Sequence, residues 1–203
     1  MANLSLTEEL NYWTQAVRSQ PTDPNAYVRR GMAQFKSANI TESIQDFDKA
    51  EQLDPRIQPY LWQRGLSYYY AQRFEEGAQQ FEIDLTVNAQ DVEETVWRYL
   101  CIAQSKNSSE ARKTLLPVRN DRREIMRWIY DLFAGKATPE VVLAMARGSR
   151  EEFYAHLYVG LYYESSRSIE LAKTHIIKAT SDYELDDYMW HLARIHQQLR
   201  GWI

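Results

Sequence analysis

Four histidines, His156, His175, His191 and His196, and a single cysteine, Cys101, are the side chains with the chemistry to ligate a metal or feed a catalytic site. They are scattered. His191 and His196 stand five apart, a poor spacing for shared ligation on one helix face. The chain has no Gly-rich phosphate loop, no paired-histidine zinc motif and no nucleophile elbow. Glu75, Glu76, Glu93 and Glu94 read as solvated helix faces. These residues describe a chain that is not an enzyme and needs no cofactor or metal.

A basic run is the other chemically distinctive stretch: Arg112, Lys113, Arg119, Arg122, Arg123 and Arg127, relieved by Asp121 and Glu124. It offers an anionic-partner patch. In one reading it binds RNA; in another it pairs head to tail with the acidic Asp182–Asp187 end of a second copy, making a homodimer. The plainer reading is a solvated face with local ion pairs, each of small worth. A net charge of −4 argues against general nucleic-acid affinity.

Behind these residues lies a helical chain. Only seven glycines and six prolines occur in 203 residues, while Ala, Leu, Glu, Gln and Arg are plentiful, which favours helix. Cys101 stands alone, which excludes an internal disulfide and fits a reducing compartment. Apolar runs fall short of the ~20 residues that span a bilayer. The expectation is a soluble intracellular protein, cytoplasmic, or of the plastid stroma after removal of a transit peptide.

The organising feature is a repeat. Gly31 recurs as Gly65, Phe47 as Phe81, Glu42 as Glu76 and Arg30 as Arg64, each 34 residues on. Such a period marks stacked helix pairs that bury their apolar faces against neighbours. Glycine inside a helix costs about 1 kcal/mol against alanine, so each must admit a closely packed partner helix.

The two copies, Tyr27–Pro55 and Leu61–Ala89, resemble tetratricopeptide repeats. Gly31 and Gly65 match that pattern's small residue, Phe47 and Phe81 its second-helix aromatic, Ala50 its later small residue and Pro55 its closing proline. Arg30, Arg64, Asp84 and Ala89 depart from it. The resemblance implies an all-α, superhelical array of antiparallel helix hairpins. The chain's ordering is also loosely similar to NlpI-type lipoprotein adaptors and to small repeat proteins of photosynthetic organisms, through Val96–Gln104, Trp128–Tyr130 and Asp186–His196.

On this reading residues 1–203 form a single domain. Clear repeats cover about 24–57 and 58–91, a degenerate repeat 92–120, irregular helices 121–147, a late repeat around Gly160 at 149–180, and a last helix 182–200. Ser5, Ser149 and Ser181, each followed three residues on by Glu, have capping-box spacing. The first helix is expected over 6–19, and Trp202 and Ile203 trail the last one.

The resemblance also implies a concave, partner-binding face. In the first repeat it would carry Arg29, Met32 and Lys36. The second would add Trp62, Gln63, Leu66, Tyr69 and Tyr70, and the third Trp97, Leu100 and Gln104. The clamp by which chaperone-binding members hold a C-terminal carboxylate is missing, because Val28, Met32, Gln63 and Glu93 occupy its positions. What remains is apolar and aromatic, suited to a peptide or an amphipathic helix. The expected function is a protein–protein interaction scaffold. A structural subunit of an assembly is the further alternative. The stripe Tyr154, Tyr158, Tyr162 reads as a packed seam.

Overall fold

The computed structural model describes residues 5–119 and 121–202. Among them are twelve α-helices, one 3-10 helix and no strand. The fold is an all-α repeat array of helices packed in adjacent pairs, as the period predicts. Where the sequence suggests one continuous array, the chain groups into two compact units, Met1–Asn88 and Ala89–Ile203.

The first unit opens with α1 (Leu6–Ser19), whose N-terminus is closed by the expected capping box: Ser5 Oγ accepts from the Glu8 amide and Glu8 accepts from the Ser5 amide. Helices α2 (Pro24–Lys36) and α3 (Ile40–Leu53) form one hairpin. α4 (Trp62–Tyr70) and α5 (Phe74–Asp84) form the next. Between the hairpins, Pro55–Tyr60 is a 3-10 helix containing Pro59. Proline has no N–H to give to the helical ladder, so α4 starts only beyond it.

The repeat glycines do what their cost demands. A Cβ built on Gly31 would lie 3.1 Å from Phe47 Cζ, and one on Gly65 would lie 2.7 Å from Phe81 Cζ. The arginines that depart from the tetratricopeptide pattern supply a second repeated contact. Arg30 Nε donates to Asp46 at 2.8 Å, and Arg64 Nε donates to Gln80 at 2.9 Å. Asp46 and Gln80 each stand fifteen residues after their glycine. The tight links also coincide: Ala38 and Gln72 both adopt φ 61°, the left-handed region, 34 residues apart.

In the second unit, α6 (Val92–Ser105) is capped by Asp91, which accepts from the Glu94 amide at 3.0 Å. Its partner α7 is short, Ser108–Lys113. Tyr99 stands one period after Gly65. The ring packs edge-on to Phe133 at 5.1 Å. α8 (Glu124–Phe133) and α9 (Pro139–Met145) follow, with Gly135 at φ 75° ending the first and Pro139 starting the second.

The late repeat is α10 (Gly148–Ser165) and α11 (Ile169–Ser181). It has the same internal geometry as the early ones: a Cβ on Gly160 would lie 2.8 Å from Ile176, and Arg167 in the link has φ 66°. Two expected caps are not used. Arg147, not Ser149, precedes α10, and the final helix α12 (Tyr188–Leu199) is capped by Asp187 rather than Ser181. Gly201 at φ 65° follows α12, and buried Trp202 packs on His196 at 5.3 Å. Ile203 lies outside the described residues. No helix among the described residues is long and apolar enough to cross a membrane.

Candidate interaction surface

In the first unit the expected partner face divides into accessible and buried residues. Arg29 is exposed, and Met32, Lys36 and Trp62 are half-buried. Lys36 forms an ion pair with Glu9 of α1, so its charge is already matched. Gln63 is mostly buried and its Nε2 donates weakly to Met32 Sδ at 3.7 Å. Leu66, Tyr69 and Tyr70 are buried. Tyr70 packs edge-on to Phe35 at 5.7 Å and to Tyr69 at 5.3 Å, and Tyr69 packs on Phe74 at 5.5 Å. An open aromatic face is expected at these three positions. Instead, Tyr69 and Tyr70 pack against rings of α5 and α2, and Leu66 is fully buried.

The second unit shows the same division. Trp97 and Leu100 are buried, and Gln104 is half-buried. Glu93 and Glu94 are not solvated as expected: Glu94 is 9% exposed. Glu93 accepts from the Tyr158 hydroxyl at 2.8 Å and pairs with Arg123. Burial pushes its carboxyl pKa up, while Arg123 and the Tyr158 hydroxyl hold it back. Tyr154 and Tyr158 are buried and near-parallel at 6.3 Å.

The basic run is matched by its surroundings only in part. Arg123 serves three carboxylates, those of Asp91, Glu93 and Asp121. Lys113 pairs with Glu110 at 2.7 Å. Arg112 Nε donates to the Phe133 carbonyl at 3.3 Å. Arg119, Arg122 and Arg127 are exposed.

The histidines are less scattered than their spacing indicates. His156 on α10 and His175 on α11 meet with their Nδ1 atoms 2.9 Å apart. A signal for this existed: His175 follows Gly160 by fifteen residues, as Asp46 follows Gly31 and Gln80 follows Gly65. His196 is fully buried, 3.4 Å from Glu164. Cys101 is fully buried and its thiol pKa is driven well up by burial, which makes it inert. Among the described residues no group of three or more His, Cys, Asp or Glu is placed to hold a metal ion.

No family model matches the chain. A DnaJ homolog subfamily C member 7 homolog from Dictyostelium discoideum is similar over 50 residues at 38% identity, covering 25% of this chain and 9% of that protein. The chain thus matches a small part of that relative's length. This short likeness and the paired helices are compatible with a tetratricopeptide-type array.

Proposed function

We propose that the chain is a non-enzymatic protein–protein interaction scaffold that holds a peptide or helix against the α2 and α4 surface of its first unit. Arg29, Met32 and Trp62 make the contact. Leu66, Tyr69 and Tyr70 form the rigid floor below them, with Gln63 and the Lys36–Glu9 pair at the border. In the second unit Gln104 is the accessible member of the corresponding set, above Trp97 and Leu100.

The observation that carries this reading is the pairing of accessible indole, thioether and guanidinium groups with a buried aromatic floor. Trp and Arg dominate binding energy at interfaces, Met adapts to irregular partners, and a fixed floor lowers the entropy lost on docking. The short likeness to a protein named as a DnaJ homolog supports a role among other proteins rather than in catalysis. Affinity purification with the intact chain, followed by direct titration of the identified partner, tests it. Arg29→Glu with Met32→Glu should weaken that binding at least about tenfold while helicity is kept.

A further inference from the structure

The late hairpin differs from the first two at the position that links its helices. In the first, the cation of Arg30 meets Asp46; in the second, the cation of Arg64 meets Gln80. In the late hairpin Val159 stands where those arginines stand, and His175 where Asp46 and Gln80 stand. His175 of α11 meets His156 of α10 instead. A permanent cation is thus replaced by two groups that gain charge only in acid, since an ordinary imidazole titrates at about pH 6.5.

The geometry of the pair fixes how many protons it can hold. The Nδ1 atoms are 2.9 Å apart, with the ring centroids 5.1 Å apart and the planes 26° from parallel. A neutral imidazole has one N–H and one lone pair, so one Nδ1 donates and the other accepts. A first added proton enters the donor ring's Nε2 and leaves the bond in place, now charge-assisted. A second proton finds only the accepting Nδ1 lone pair, and two N–H groups then face each other. The contact therefore ends at the second proton. Tyr163 stacks 5.7 Å from His175 and Tyr183 stacks 6.1 Å from His156, so the pair is the middle of a ladder of four rings.

The surroundings decide which ring moves. A cavity of about 320 Å³ opens beside His156, lined by Glu152, Tyr183, Ala155, Leu143 and Ala146. Glu152 stands four residues before His156 on α10, the spacing at which a helical carboxylate and cation meet. The other charges at the pair are Glu140 of α9, which acts on His175, and Lys178 and Asp182, themselves paired at 3.0 Å. From α12, Trp190 donates to the Tyr183 carbonyl at 2.6 Å, and Arg194 lies over that indole at 5.0 Å. Burial lowers the pKa of both imidazoles, that of His156 to about 4, where the charge of His175 and then of Lys178 add to the shift and Asp182 opposes it. His175 thus takes the first proton and His156 the second.

We propose that His156 is an acid-operated two-position switch in the late hairpin: neutral, it is held by His175 across α10 and α11; once both rings are protonated, it releases His175 and turns into the adjoining cavity toward Glu152. The released ring leaves its stack with Tyr183, and the link that Trp190 ties to α12 loosens with it. Two arrangements of one side chain, selected by charge, make the bistable element that a pH sensor needs.

The test is an NMR titration of the imidazole signals of the full chain from about pH 7.5 to about pH 4, with far-UV circular dichroism at each step. The ring-to-ring contact between His156 and His175 should survive protonation of His175 and fade in step with protonation of His156, while helicity is kept. His175→Gln, which keeps a hydrogen-bonding side chain between the helices, should make His156 bind its proton at least about tenfold more tightly, a rise of about one pH unit. Glu152→Gln should move the His156 titration down. A contact that persists with both rings protonated overturns the proposal. So does an unchanged His156 titration in either folded variant, or unfolding of the whole chain before the contact is lost.

Discussion

Gly65 and Phe81 are packed so closely that a methyl group on Gly65 would stand 2.7 Å from the Phe81 ring. Phe81 is 1% exposed, so the ring has nowhere to go. Gly65→Ala gains about 1 kcal/mol of helix propensity and loses about 1–3 kcal/mol to overpacking, a net destabilisation. At Gly31 the corresponding contact is 3.1 Å, and the same exchange should be nearly neutral. Urea denaturation of the two variants should rank Gly65→Ala below Gly31→Ala; the reverse order would contradict the packing described.

The links between paired helices hold Ala38, Gln72 and Arg167 at φ 61°, 61° and 66°. A side chain in the left-handed region costs roughly 1–2 kcal/mol that glycine avoids, partly offset by glycine's greater freedom when unfolded. Gln72→Gly should therefore stabilise by about 0.5–1 kcal/mol, read as a rise in the urea midpoint. A fall would mean that the Gln72 side chain supports the turn.

The two halves of the chain should respond oppositely to pH. Asp84 replaces the small residue of the repeat pattern and is 1% exposed. Burial raises its pKa to about 7, against the hydrogen bond from Gln80 and the charge of Arg64. A raised acid pKa means the folded state holds the proton more tightly, so the first unit loses stability as pH rises from about 4 to about 7. His196 is fully buried, and burial lowers its pKa to about 4 despite Glu164. The unfolded state then binds the proton more readily, so the second unit loses stability as pH falls from about 6.5 to about 4. Every tenfold difference in proton affinity between the folded and unfolded states is worth about 1.4 kcal/mol at most. Thermal melts of Asp84→Asn should lose the first slope and keep the second; a wild-type profile in that variant would rule out Asp84 as its source.

Arg123 is the shared cation of Asp91, Glu93 and Asp121, and its side chain is 41% exposed. Arg123→Ala leaves Glu93 with the Tyr158 hydroxyl and no counter-charge. Partial exposure softens the loss, and about 1–2 kcal/mol is expected. It should shrink when the pH is lowered enough to protonate Glu93. A penalty that is the same at pH 4.5 and pH 7.5 would show that packing rather than charge is lost.

The helices and their pairing were legible because Gly31, Gly65 and Phe47, Phe81 carry the period, and because Ser5, Asp91, Pro139 and Gly135 mark ends by local chemistry. Pro59 was visible too, but its effect on a helix start depends on which amide the ladder needs. The face of the candidate site was legible only in part. Helical spacing puts Leu66 and Tyr69 on one side of α4, yet Tyr69 and Tyr70 pack against the rings of Phe74 and Phe35, which period alone does not place. The His156–His175 contact is nineteen residues apart in sequence and becomes visible only when the late hairpin is laid on the early ones through Gly160.

The scaffold proposal rests on Arg29, Met32 and Trp62 being the residues that a partner meets. Its most direct test is to measure the dissociation constant of the partner identified by affinity purification for the wild-type chain and for Trp62→Gln, with matched circular dichroism. The account predicts a tenfold or larger weakening, about 1.4 kcal/mol or more, with helicity unchanged. Equal affinity in the folded variant and in the Arg29→Glu, Met32→Glu pair would contradict it.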